Sequence, residues 1–340
     1  MSTERVRWHS IERLSAARGF VPHWVELWAR CQYATVFQSP EWVLGSWQWL
    51  AQATPRSMIT GWCNGELVAV SVLRICSDEL YLEGSEVSDY LDVLVDPSCR
   101  EALAAPLFSF LREVGQGRRL RCERLTSHSP LLSMRHDAPE WQTVLAEQDV
   151  CPYVELSRSR SALGAVIPPG FLRRIQRARR EAKRRFRVEV SSASTANVHE
   201  RLARLFELHT TRWNSKGATG VLADPAIARF YSEVVPQLLA VGQVWLLQLD
   251  FDTRPVAALL SFCGHDRVLC YMAGFDSQYA TYSPGRLLMA ALFERAYAAG
   301  SVEVDFLRGV ERYKYDWGAR NRSTYCLALE PTESQRCTAR

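Results

Sequence analysis

Residues 271–289 read YMAGFDSQYATYSPGRLLM, and an apolar-periodic stretch continues from there to Gly300. The run begins as a strand, YMAGFD, breaks across polar residues and opens a helix at Ser283 and Pro284. Proline suits a first helical position, because the N–H it lacks would have no partner there anyway. Gly285 and Arg286 fall in the first turn and apolar residues follow. That turn leaves backbone N–H groups unpaired and carries partial positive charge, so a phosphate fits against it. Gly285 lets such an anion approach closely, and Arg286 supplies a bidentate donor. The plain alternative is a Ser-Pro helix start that binds nothing. The preceding strand and the order of the surrounding elements favour the ligand reading.

Working outward, residues 187–330 read as strand (RVEVSSA), two helices (VHERLARLFELHTTRW and DPAIARFYSEVVPQLLAVG), three strands (QVWLLQLDF, PVAALLSFCG, VLCYMAGFD), the helix 284–299, a strand (VEVDFL), a short helix in an irregular stretch and a last strand (STYCLALE). Before it, FLRRIQRARREAKRRFR at 171–187 reads as one helix. Phe171, Ile175, Ala178, Ala182 and Phe186 share a face, and nine Arg or Lys residues cover the rest. The first half holds Trp-rich helices, with Ser39-Pro40 as a capped start, and a hairpin signalled by Asn64-Gly65. It partly repeats the later pattern, which suggests an old duplication. Its tryptophans, Trp24, Trp28, Trp42, Trp47 and Trp49, read as packing residues.

A chain of 340 residues suits two domains, and 47% hydrophobic with 23% charged residues is ordinary for a globular protein. The expected division is a first domain at 1–160, a linker with the basic helix at 161–187 and a second domain at 188–340. No apolar run is long enough to span a bilayer, and the polar start MSTERVRWHSIERL lacks a signal-peptide core. The expected location is the cytoplasm. Ten cysteines occur singly with no CxxC pair, which reads as reduced, packed thiols; no metal site is expected.

The element order, with SPG opening the helix after the third meander strand, resembles the GNAT acyltransferase fold. More closely, the chain resembles CelD-type acetyltransferases associated with cellulose and exopolysaccharide biosynthesis, themselves related to Fem-type aminoacyl transferases. The segments that carry this are FQSPEWVLGSW, SDYLDVLVDP, FLRRIQRARR, LFELHTTRW, YMAGFDSQYATYSPGRLLM and VDFLRGVERYKYDWG. The resemblance implies an α/β protein of two tandem GNAT-like domains, each a mixed, mostly antiparallel sheet flanked by helices, joined by a basic helix. It implies acetyl-CoA or a longer acyl-CoA as co-substrate and an amine acceptor: an amino sugar, an amino acid or a lipid precursor. One departure is plain: GNAT enzymes carry Q/R-x-x-G-x-G/A before this helix, and here the turn is Y-S-P-G-R, with a single glycine.

By the same resemblance, the strand before the helix splays from its neighbour and pairs with the pantetheine arm. Met272, Ala273 and Gly274 would line that gap, with Ser283, Gly285, Arg286 and Leu287 on the coenzyme phosphates. Their alternative is a plain buried strand and helix. Thioester aminolysis needs a group that takes the amine proton and one that serves the leaving thiolate. His209, Asp305, Glu311 and Tyr313 are the candidates. His209 lies on the apolar face of its helix, so a core role competes with a catalytic one. Asp305 either faces the cleft or caps a loop. Arg308 and Lys314 crowd the same short stretch as Glu311 and Tyr313, after a strand end, and with Arg212 and Trp213 are expected to contact substrate. Asp89 and Tyr90 either hold a cationic amine or belong to a turn.

The basic helix is either an interdomain helix with a solvated face or a contact for an anionic partner: the coenzyme phosphates, the inner face of the membrane or tRNA. Nucleic acid is not the expected partner. A Fem-like transferase using aminoacyl-tRNA and a non-catalytic scaffold of the same fold stand as alternatives.

Overall fold

The computed structural model describes residues 6–156, 164, 166–214, 217 and 219–332. The chain forms two compact units, one of Met1–Asp149 with Ser323–Arg340, the other of Val150–Arg322.

In chain order the first part forms β1 (Arg7–Ile11), α1 (Leu14–Ala17), α2 (Val21–Arg30), α3 (Pro40–Trp49), β2 (Arg56–Cys63), β3 (Glu66–Ile75), β4 (Glu79–Leu82), β5 (Leu94–Val95), α4 (Arg100–Gly115), β6 (Arg119–Leu125), α5 (Pro130–Met134) and β7 (Trp141–Glu155). The Asn64-Gly65 signal is a tight hairpin turn, with φ of 54° and 80°, the pair of positive values that a two-residue turn between twisted strands requires. Ser39 caps α3, its hydroxyl accepting from the N–H of Trp42 at 3.4 Å. Trp24 and Trp42 are buried in the core, and each indole N–H is satisfied, by the carbonyl of Gln38 at 3.0 Å and the hydroxyl of Ser88 at 2.9 Å. Burying so large a ring is favourable only when its donor finds such a partner.

The second part forms α6 (Pro169–Arg185), β8 (Val188–Ser192), α7 (Val198–Asn214), α8 (Pro225–Ala240), β9 (Val244–Phe251), β10 (Arg254–Gly264), β11 (Arg267–Phe275), α9 (Pro284–Ala298), β12 (Glu303–Asp305), α10 (Arg312–Asp316) and β13 (Arg320–Pro331). β8 to β11 form an antiparallel meander; β12 lies parallel to β11 and antiparallel to the end of β7. Strand alternation sends Leu247, Leu249 and Phe251 into a core with α6 and α9. Tyr271 and Phe262 point to the other face, against Tyr231 of α8.

The two units share one strand order. The first runs β1-β2-β3-β4-β6 and closes with residues of β13; the second runs β8-β9-β10-β11-β12 and closes with residues of β7. In both, a meander is followed by a parallel strand and then an antiparallel one. The closing strands are exchanged: the middle of the chain completes the second sheet and its end completes the first. The division therefore falls at Asp149 and not near residue 160, and residues 323–332 belong with the first unit. The basic helix is likewise no free linker. Its Phe171, Ile175, Ala178 and Ala182 are buried in the second core, so α6 is a wall of that unit.

Candidate active site

β11 and β12 are paired only where Arg267–Leu269 faces Glu303–Asp305. β11 continues to Phe275, so residues 270–275 run on without a β12 partner. The N–H of Asp276 donates to the carbonyl of Val256 at 2.9 Å, which fixes the register at that end of β10. Antiparallel alternation then turns the N–H and C=O of Gly274 toward β10 and those of Ala273 and Phe275 toward the open edge. In the first unit the corresponding strand β4 is paired with β6 over Glu79–Tyr81, nearly its whole length, and presents no such edge.

A cavity of about 320 Å³ lies along this opening. Its apolar wall includes Ala273 and Phe275 of β11, Leu259 of β10, Leu288 and Met289 of α9, Phe171 of α6 and Trp317. Its polar groups are Arg212, Ser283, Arg286, Tyr313 and Asp316. Trp317 fixes the floor: its ring stacks on Phe293 at 4.7 Å and meets Phe171 edge-on at 5.0 Å.

The start of α9 differs from a side-chain-capped helix. Ser283 sits in the left-handed region, at φ 54° and ψ 52°, and its hydroxyl caps nothing. The N–H groups of Arg286 and Leu287 return to the carbonyl of Ser283, at 3.0 and 3.1 Å. Pro284 has no N–H, so among the described residues the N–H of Gly285 is the first-turn donor left without an acceptor. Two guanidinium groups flank the ring of Phe171: Arg174 at 5.0 Å and Arg286 at 5.2 Å from its centre. Burial, and then the nearby Arg174, hold the basicity of Arg286 below the usual arginine range, while Asp316 opposes this. Asp316 pairs with Arg174 at 3.4 Å, and Arg286 has no carboxylate at ion-pair distance among the described residues. The third cation, Arg212, lies over Phe275 at 4.9 Å.

The expected site residues divide sharply. Ala273, Gly274, Ser283, Gly285, Arg286, Arg212 and Tyr313 line the cavity. Met272 and Leu287 do not; both are buried side chains facing the protein interior. Gly274 has a packing reason to be glycine, since a Cβ there would stand 2.4 Å from the backbone nitrogen of His209. Helix α7 thus rests directly on β11.

His209 is not at the cavity. It is buried under β11, and its Nε2 accepts from the indole N–H of Trp213 at 2.8 Å. Burial first, and then the charge of Arg212, lower its pKa to about 4, so it is neutral at pH 7. Asp305 is fully buried. Its carboxylate accepts from the N–H of Leu307 at 2.7 Å and from Arg322 at 3.2 Å, so it holds a turn and does not face a cleft. Lys314 is buried too, its Nζ donating to the carbonyls of Leu307, Arg308 and Gly309 at 3.1, 2.7 and 3.0 Å. The positive φ of Leu307 and Gly309 turns those carbonyls inward, and the lysine satisfies them. Glu311 is exposed and pairs with Lys314 at 2.9 Å. Arg308 is half-buried and Trp213 partly exposed, and neither lines the cavity. Asp89 and Tyr90 belong to the first unit, where Tyr90 is a core residue packed on Phe37.

Of the four proton-transfer candidates, only Tyr313 reaches the cavity. Among the described residues its hydroxyl has no hydrogen-bond partner, and although the residue is 45% exposed, desolvation of the phenol, with Cys270 and Glu311 nearby, raises it above the usual tyrosine range. Sequence reasoning missed Asp316, Trp317 and Phe171 as lining residues. The signal for Asp316 was its spacing: Tyr313 and Asp316 are three apart, hence on one face of the single-turn helix α10.

Residues 170–315, from α6 into α10, match the family model described as an acetyltransferase (GNAT) domain. The fold is GNAT-like. Solved structures agree over nearly the whole chain: FemX, with a TM-score of 0.63 at 11% identity, covers 94% of this chain and 96% of its own. The C-terminal domain of an Agrobacterium fabrum protein assigned as a lysylphosphatidylglycerol synthetase has a TM-score of 0.61 at 11% identity, with 92% of both chains covered. A tandem GNAT protein from the clavulanic acid biosynthesis pathway has a TM-score of 0.50 at 13% identity, covering 96% of this chain and all of its own, 100%. Identities this low speak for fold alone. No curated protein matches the chain in sequence.

Proposed function

We propose that the protein is an acyl-CoA-dependent acyltransferase that moves an acetyl or longer acyl group to an amine. The supporting observation is the open edge of β11 beside the start of α9. The outward N–H and C=O groups of Ala273 and Phe275 would pair with the amides of the pantetheine arm, as a missing strand would. The N–H of Gly285 and the guanidinium of Arg286 would take a coenzyme phosphate. These residues suit the group: an extended backbone edge, an unpaired donor at a helix start and an uncompensated cation. The co-substrate supplies an activated thioester. The apolar wall at Leu259, Leu288 and Met289 shields its acyl end from water.

At the thioester carbonyl, the amine nitrogen forms the C–N bond while the C–S bond breaks. The departing thiolate needs a proton, and Tyr313, which lines the cavity, would give it. A cationic amine first gives one proton to solvent; the second proton, lost as the C–N bond forms, restores the phenol, so the sum is amide, thiol and one released proton. Asp316, the carboxylate on the cavity, would draw a cationic amine toward the site. His209, Asp305 and Glu311 take no step. Among the described residues no cluster of metal ligands occurs, and none is required for this chemistry.

Titration calorimetry with acetyl-CoA and a series of longer acyl-CoAs tests the reading. Saturable binding of one of them, followed by thiol release when an amine is added, is the expected result. Failure of every acyl-CoA to bind ends it. A second reading, transfer from aminoacyl-tRNA, draws on the nearly full-length likeness to FemX and the cationic helix. It predicts RNase-sensitive activity with no acyl-CoA requirement.

A further inference from the structure

Helix α6 spends its apolar face on its own unit, yet its opposite face carries far more positive charge than solvation or local pairing uses. At 100° per residue, Arg173, Arg177, Arg180 and Arg184 form one stripe diametrically opposite Phe171, Ile175, Ala178 and Ala182. Lys183 lies beside it and Arg185 ends the helix nearer the buried face, and every member of this group is exposed. The ion pairs in the helix are Arg174 with Asp316, Arg177 with Glu181 and Arg179 with Glu294. Arg173, Arg180, Lys183, Arg184 and Arg185 have no acidic partner among the described residues. From Arg173 to Arg184 the stripe is about 16 Å long, at 1.5 Å per residue.

We propose that this face docks the protein on an anionic lipid surface. The stripe runs along the exposed face of one helix, opposite its buried face, and a linear row of charges suits a flat bed of headgroups. No aromatic side chain stands among its exposed residues, so it lacks the stacking platforms with which proteins hold unpaired bases. A run of four to eight Lys and Arg on an amphipathic helix is the pattern that anionic membranes attract. Because Phe171, Ile175 and Ala178 are buried in the second core, the helix has no apolar face left to insert. Attachment is therefore electrostatic, reversible and salt-sensitive. Phe171, in the first turn of the same helix, lines the cavity from the side opposite the stripe, so docking sets the cavity about one helix diameter, about 10 Å, from the headgroups.

The test is co-sedimentation of the full-length protein with vesicles of about 40% phosphatidylglycerol in phosphatidylcholine, against phosphatidylcholine alone. A fivefold variant carries R173Q, R180Q, K183Q, R184Q and R185Q, all exposed positions outside the cavity, and a matched variant restores charge as lysine or arginine. Binding to the anionic vesicles alone, lost between about 0.05 M and about 0.5 M salt, weakened at least about a hundredfold in the neutral variant and retained in the charge-restored one, is the expected outcome. An unchanged melting temperature in the neutral variant excludes unfolding as the cause. Equal binding by neutral and wild-type protein overturns the proposal, and so does absence of vesicle binding at low salt. So does gel retardation of tRNA by this face when the vesicles are not bound.

Discussion

Gly274→Ala separates two reasons for a glycine at that position. A methyl group there would lie 2.4 Å from the nitrogen of His209, 2.6 Å from the carbonyl carbon of Leu208 and 2.8 Å from its Cβ. Two of the three are backbone atoms of α7, so no side chain can swing away. The helix must lift by roughly 1 Å, and it carries the buried Leu202, Leu205, Leu208 and His209 with it. Overpacking of this kind costs about 1–3 kcal/mol, and two rigid backbones put it in the upper half of that range. For a unit of this size, about 2–3 kcal/mol lowers the melting temperature by roughly 4–12 °C. Differential scanning calorimetry reads it directly. A variant that melts within a degree of wild type, yet loses acyl-CoA binding, would refute this reasoning. It would mean that Gly274 is needed for ligand approach and not for helix packing.

Gly285→Ala should behave in the opposite way. Its added Cβ meets Phe275 at 3.4 Å, an ordinary contact, and alanine favours the helix by up to about 1 kcal/mol; stability should hold or rise while acyl-CoA affinity, followed by calorimetry, falls about tenfold, which is about 1.4 kcal/mol. Tyr313→Phe should lower kcat by about 10²-fold, as expected for loss of a proton donor, with little change in KM for the acyl-CoA. Because the phenol is held above its ordinary range, wild-type activity should show no loss through the pH at which a free tyrosine ionises. His209 has a folded pKa of about 4, below its unfolded value of about 6.5, so the unfolded chain takes up the proton first. Its contribution to stability is complete above about pH 6.5 and is lost as pH falls toward 4, with a slope of up to about 1.4 kcal/mol per pH unit; His209→Gln should flatten that limb of a denaturation series. Trp317→Ala should cost about 3–5 kcal/mol of stability, by denaturant titration, because it empties the floor between Phe171 and Phe293.

Local signals in the sequence carried a good deal. The helix at Pro284, the amphipathic α6, the β9–β11 meander and the turn at Asn64-Gly65 are each set by neighbours within a few residues, through proline and glycine geometry or apolar period. The exchange of β7 and β13 is not local. It joins β12 to residues some 150 positions earlier and β6 to residues some 200 later, and nothing in an apolar alternation names its partner strand. The parting of β11 from β12 escapes notice for the same reason: VEVDFL reads as a strand of full length, yet pairing stops at Asp305, where Leu307 turns to positive φ.

Some candidate residues lie away from the cavity because composition carries no direction. Lys314 looked reactive because charged groups crowded one short stretch, whereas Asp305 was open to facing the cleft or capping a loop, and it holds the turn at Leu307. Their charges point inward, to Arg322 and to three carbonyls, and they shape the wall behind the cavity. His209 carried both readings; it is buried beneath Gly274 with Trp213 as its donor, away from the cavity, and its Nδ1 has no partner among the described residues. Asp316 went unread although a short helix was expected in this stretch, because the three-residue spacing that sets it beside Tyr313 was not followed.

A crystal structure of the protein with bound acetyl-CoA tests the central claim most directly. It should show the pantetheine amides paired with the backbone of Ala273 and Phe275, and a phosphate on the N–H of Gly285 beside Arg286. A nucleotide seated elsewhere, with the edge of β11 unchanged, would contradict it.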